Sequence, residues 1–301
     1  MTRLAEGSER QFVLNEDLVA GMEHKGRLDL SKSYLLTETP ENMRVSGALV
    51  MKDCVGLQKM GSGLRVKGDI ILDGCTGLRE YPENAKVGGK VHLQGCTGLT
   101  KIPSNTKFKS LSVALCSALN ELPTMDIKGD LFATQCYVLN KIGPGSKIGG
   151  DLYLFDCVSL RELPNDLEFS GALNIGGCRW LNAIPDNIRH IKSLEATQCK
   201  SLSKLPDSFT VDGFCNLSDC DSLEILPSEM FVGGSLSLQG CSNLKELPRD
   251  LKVNNTISLL RCNGIRIPQE VIDNHPDQIY FPAEYEVIPP AAENTAKPSC
   301  G

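Results

Sequence analysis

The groups in this 301-residue chain with the most obvious chemical potential are thirteen cysteines and four histidines. Eleven cysteines, at 54, 75, 96, 116, 136, 157, 178, 199, 220, 241 and 262, recur at intervals of 21 residues, with two intervals of 20. A thiol can serve as nucleophile, metal ligand, half of a disulfide or small core group. A nucleophile needs a histidine within hydrogen-bond reach and a third group that orients it. His24, His92, His190 and His275 lie at both ends and in two distant repeats, with His190 in an apolar column, so no such constellation is expected. Metal sites need clustered pairs such as C-x-x-C with partner histidines, and none occurs. Disulfides between neighbouring rungs would strain a regular stack. Each thiol therefore reads as a small buried group with a weak S–H contact to backbone. Cys215 takes a leucine place in the same lattice, and Cys300 alone falls outside it. The glycine-rich VGGK at 87–90 lacks the spacing and the Ser/Thr of a phosphate loop. No metal and no cofactor is expected, and the chain reads as a non-enzyme.

The elements that hold these thiols follow from the residues around them. Apolar residues stand five and three positions before each cysteine, as in Leu152 and Leu154 before Cys157, and again three and six after, often followed by proline as in Leu163-Pro164. One further unit, with Leu28, Leu30, Leu36 and Pro40, has Ser33 at the cysteine place, giving twelve repeats over residues 24–268. A unit this short cannot bury its apolar side alone and must stack on its neighbours as a solenoid. In L-x-L both leucines point inward and the intervening residue outward, so stacking yields a parallel sheet with strands about 4.8 Å apart. Glycine seven before the cysteine place recurs in nine repeats and is expected to permit a bend or a positive φ. The far side, about ten residues carrying glycine and proline, is too short for a helix and is expected to be extended or polyproline-like.

L-x-L-x-x-C-x-x-L-x-x-L-P resembles the leucine-rich repeat, in its cysteine-containing form and with the L-P step of short bacterial repeats. The resemblance covers about four-fifths of the chain and implies a horseshoe with the parallel sheet on its concave face. Short L-P repeats are similar to those of effectors that bacterial pathogens deliver into host cells, where the horseshoe binds a host protein. Some of those carry a ubiquitin-ligase domain with a catalytic cysteine, which has no counterpart here. The implied function is a protein-interaction scaffold, with an intracellular or surface recognition module in the bacterium, or chemistry at Cys300, as alternatives.

Composition and ends narrow the reading. The net charge of −6 and mixed signs suggest no nucleic-acid partner. No run of 18 apolar residues could span a bilayer, and the start has no signal-peptide run. Export into a host cytoplasm without a cleavable signal is expected, or else residence in the bacterial cytoplasm. Residues 1–23 form the N-terminal segment, in which Ser8-Glu9-Arg10-Gln11 has the form of a capping box. Leu14, Leu18 and Met22 form a stripe there, so a capping helix is expected over 8–22. Residues 269–281 read as a C-terminal cap with a helical turn and a last strand, and 282–301 as a disordered proline-rich tail.

On the concave face, the column four before each cysteine contains His92, Ser112, Phe132, Tyr153 and Asn174 in succession. Phe155 lies one step along the same face, and Asp130 and Asp151 flank the aromatics in the column six before. Clustered exposed aromatics rimmed by acids have the composition of a binding hot spot. The candidate partner-binding set is Phe132, Tyr153, Phe155, Asp130, Asp151, Asn174 and His92. Val50 and Ile71 are a candidate second apolar patch, and Trp180 is expected to pack at the edge.

Overall fold

The structure is a computed structural model that describes residues 18–290. The L-x-L segments become two-residue strands stacked in strict chain order, from Leu28–Asp29 through Ile257–Ser258 to Ile279–Tyr280, in one thirteen-stranded parallel sheet. Coils are numbered here from coil 1, which contains Ser33, through coil 2 with Cys54 to coil 12 with Cys262. Within each coil the expected apolar places turn inward. In coil 7, Leu152, Leu154, Cys157, Leu160, Leu163 and Leu167 are all buried, and one hydrophobic cluster runs from Leu18 to Val271.

The outer side is extended, as expected, and is laddered rather than polyproline-like. Two-residue strands such as Arg44–Val45, Arg65–Val66 and Lys86–Val87 stack into a second series of parallel ladders. A third series leads into the L-P step, in the bridge Glu38↔Lys59 and in the pairing of Glu121–Leu122 with Lys141–Ile142. The reason is backbone accounting. A polyproline-like segment has no internal hydrogen bonds, whereas a neighbouring coil about 4.8 Å away offers partners for each N–H and C=O. In the second series the first residue of each pair is outward and the next inward, as with exposed Arg65 and buried Val66. Coils 5 and 9 have one residue fewer between this strand and the main one, so His190 turns outward and Ile191 fills the apolar place, correcting the position counted for His190.

The repeated glycine has a different role from the one expected. Of the nine, only Gly26 has a positive φ. The others are places where coils approach too closely for a side chain. A Cβ on Gly47 would stand 2.4 Å from the Gly26 carbonyl carbon, and one on Gly150 would stand 2.2 Å from Asp130 Oδ1. The left-handed backbone lies instead at the residue before each cysteine place, in all twelve coils, including Asp53, Leu115, Gln135 and Arg261. In ten of these coils the residue is the third of a turn closed by an i+3 to i bond, for example Cys157 N–H to Leu154 O at 3.1 Å, where positive φ is what a type II turn requires.

The ends also depart from expectation. Residues 18–22 of the anticipated helix form a loop and turn, although Leu18 and Met22 are buried on the first coil. Residues 8–17 lie outside the described residues. At the other end, Gln269–Asn274 is a helix and Ile279–Tyr280 adds the last main strand. The disorder expected from Pro282 does not extend to 282–290, where Tyr285–Ile288 pairs with Ile265–Pro268. The Phe281 and Tyr285 rings stack there at 4.8 Å.

Candidate functional site

The twelve described cysteines are all free and buried. Each of the eleven lattice thiols donates to the carbonyl three before the cysteine place of the preceding coil. Cys157 Sγ to Ala133 O is 3.0 Å and Cys262 Sγ to Leu238 O is 2.8 Å. For nine of the eleven, Leu238 O among them, that same carbonyl accepts the turn bond within its own coil, so the thiol fills its second lone pair. Burial pushes the Cys96 and Cys178 thiols up to about 12 and Cys136 up to about 11, away from the thiolate that nucleophilic or metal chemistry needs. Among the described residues no group of three His, Cys, Asp or Glu could hold a metal ion. Buried His275 is structural: its Nδ1 bonds Val271 O at 2.7 Å and its Nε2 accepts the Val253 N–H at 3.2 Å. His190 pairs with Asp212 and His24 with the Arg27 carbonyl.

The main sheet face is where side chains stand free of the core. Phe132 and Tyr153 are direct register partners, and their rings stack at 4.8 Å with planes 4° apart. Their separation equals the strand spacing, so both rings rise straight from their own strands. Phe155 is 40% exposed and lies over Gly176, where a Cβ would be 3.1 Å from its ring. These three rings form a ridge between two low rows. On one side coil 5 presents only Ser110, Ser112 and Ala114, and on the other coil 8 presents Ala172, Asn174 and Gly176. His92 stands beyond Ser112. The outer face of Phe132 is therefore not stacked on a neighbouring ring.

The flanking acids do more than rim the aromatics. Asp130 Oδ1 accepts the Asp151 N–H at 3.0 Å, and Asp151 Oδ1 accepts the Ala172 N–H at 2.8 Å, a device that Asp69 repeats on Lys90. The second Asp151 oxygen accepts the Tyr153 hydroxyl at 3.0 Å, so one carboxylate ties coil to coil and fixes the tyrosine. Burial, together with that hydrogen bond, holds the Tyr153 phenol above its ordinary value. Asn174 Oδ1 accepts the Gly176 N–H at 3.2 Å, and from Glu195 to Ser237 the face continues as polar side chains bonded to one another. The second apolar patch is not formed as expected: Val50 is 2% exposed, leaving only Ile71 partly open. Trp180 is 59% exposed at the edge, with the Arg161 guanidinium 5.9 Å from its ring.

What the ladders and columns define is a parallel-stranded solenoid of stacked leucine-rich coils. No protein-family model matches the chain, and no curated protein matches it. Among solved structures, a leucine-rich repeat protein from Bacteroides ovatus is similar over 94% of this chain and 97% of that one, at 14% identity and a TM-score of 0.41. So loose a likeness carries no argument, and the fold rests on the ladders themselves. No helix among the described residues is long and apolar enough to cross a membrane.

Proposed function

We propose that the chain is a non-enzymatic protein-interaction scaffold that binds its partner on the main sheet face. The observation that carries this reading is the ridge of Phe132, Tyr153 and Phe155. Phe132 and Tyr153 are held on strands and Phe155 on the hydrogen-bonded turn that follows, with a low row on either side into which a partner's side chains can descend. Aromatics anchored in this way lose little conformational entropy on binding and are enriched at interface centres. Asn174 and His92 stand at the borders of the low rows, and Asp130 and Asp151 position the ridge. The resemblance to bacterial effectors extends the reading to a host protein as the partner, reached by export without a cleaved signal.

The test is a comparative pull-down from host-cell and bacterial lysates with the full chain and with the triple variant Phe132→Ala, Tyr153→Ala, Phe155→Ala. A partner retained by the wild type and lost by the variant is expected. Identical captured proteins for both would remove the ridge from the interface. A reporter fused to residues 1–30 tests export separately.

A further inference from the structure

The mixed charge of the sequence conceals an asymmetry that the coils expose. Residues 18–150 contain 17 basic and 12 acidic residues, a net of +5, whereas residues 151–290 contain 11 and 20, a net of −9. In the first half the positive charge gathers on the outer face. Arg44, Arg65 and Lys86 are direct register partners, and Lys107 occupies the same outward place in the next coil. Two residues further along each strand stand Lys67, Lys109 and Lys128, all exposed. Of the ten outward positions in these two columns over coils 2–6, seven are basic and one, Asp126, is acidic. Arg44 pairs with Glu23 and Lys107 with Asp126. Arg65, Lys67, Lys86, Lys109 and Lys128 have no acidic partner among the described residues. The result is a stripe of cations two columns wide over five coils, with rungs about 4.8 Å apart within each hydrogen-bonded ladder.

Between coils 4 and 5 the outer ladder is interrupted, and a cleft of about 590 Å³ opens across the stripe between Lys86 and Lys107. Asn84, Ser104 and Asn105 line it, and none of these side chains has an intramolecular hydrogen-bond partner among the described residues. The cleft adds these neutral donors and acceptors, and the Glu83 carboxylate, to the row of cations.

We infer that this stripe binds a linear anionic polysaccharide, one bearing sulfate or carboxylate groups, laid along the solenoid axis. The cations meet its charged groups, and the cleft amides and hydroxyl meet its sugar hydroxyls. Two features favour this occupant over other polyanions. The two columns of coils 2–6 contain no aromatic residue on which a nucleobase could stack. A planar anionic membrane would meet both Glu41 and Glu83 at the turns leading into these strands, whereas a single chain on the stripe meets only Glu83, at the cleft.

The experiment is a titration of the full chain with a heparin octasaccharide as probe, between 50 and 200 mM salt. With five unpaired cations engaged, affinity is expected to fall by about 100-fold over that range. Arg65→Gln, Lys86→Gln, Lys109→Gln and Lys128→Gln together are expected to remove at least about 30-fold of the affinity at the low-salt end. Lys252→Gln, at the far end of the same column, is expected to leave it unchanged. Asn84→Ala with Ser104→Ala is expected to weaken binding several-fold with the salt slope intact. Circular dichroism melts confirm that each variant is folded. The inference is overturned by no binding at 50 mM salt, by a quadruple variant that binds like wild type, or by loss with Lys252→Gln. It is equally overturned by poly(dT) or phosphatidylserine vesicles binding as tightly as heparin, which would reassign the stripe to nucleic acid or membrane.

Discussion

Replacing Gly47 by alanine isolates the reason the solenoid repeats a glycine. The new Cβ would lie 2.4 Å from the Gly26 carbonyl carbon, 2.5 Å from its oxygen and 2.7 Å from Arg27 N, all backbone atoms that no rotamer change can move. An ordinary contact starts near 3.4 Å, so coils 1 and 2 must separate locally by about 1 Å. The bonds that join the coils here, Leu28 N–H to Ala48 O at 2.8 Å and Ser46 N–H to His24 O at 2.9 Å, cannot stretch that far and survive. Losing one such bond, at about 1 kcal/mol, together with overpacking strain of about 1–3 kcal/mol, predicts a destabilisation of about 2–4 kcal/mol. Gly26 is the built-in control, because its φ is +83° and a Cβ there would meet nothing within 4 Å. Gly26→Ala should then suffer only left-handed strain, about 1 kcal/mol. Stacked repeats open locally rather than all at once, so urea melts should be paired with amide exchange at Leu28 and Leu30. If Gly47→Ala destabilises no more than Gly26→Ala, close coil approach is not why the glycine is there.

Other perturbations follow from the same contacts. Cys96, Cys136 and Cys178 have thiol pKa values raised by burial, so the folded state keeps protons that the unfolded chain releases above its ordinary value of about 9. Their contribution is fully present below pH 9 and is lost as pH rises through about 11–12, so denaturant midpoints should fall over that window and be insensitive to these thiols at pH 7. Leu115 sits at φ +62° where four other coils have glycine. Leu115→Asn should stabilise by about 0.5–1 kcal/mol in equilibrium unfolding. Asp151→Ala removes the acceptor for both the Ala172 N–H and the Tyr153 hydroxyl and should destabilise by about 1–3 kcal/mol, with Tyr153 losing its fixed ring position by NMR.

The main sheet was legible because two-residue alternation around a fixed landmark is enough to place Leu152 and Leu154 inward and Tyr153 outward. Fixed unit length then placed Phe132 beside Tyr153. The outer ladders were not legible, since pairs such as Arg65–Val66 are too short to show a period and carry no consistent first residue. The left-handed position before each cysteine escaped notice because Lys32, Leu115 and Arg261 occupy it, residues that give no turn signal. The cation stripe escaped because Arg44, Arg65, Lys86 and Lys107 are 21 residues apart and never form a run. Val50 shows the limit of column counting, which gives the direction of a side chain and not what its neighbours cover.

The thiol bond from each coil to the one before it makes every unit complete only against a neighbour of the same build, and all lattice units offer the same carbonyl. A whole 21-residue segment could thus be duplicated, deleted or exchanged by recombination without disturbing the joints on either side. A single-residue insertion in the turn would detach the sulfur from its acceptor and shift every outward residue in that unit. Lineages carrying this architecture should therefore diversify by whole-unit steps and by substitutions at outward places, lengthening or shortening the aromatic ridge and the cation stripe independently of one another.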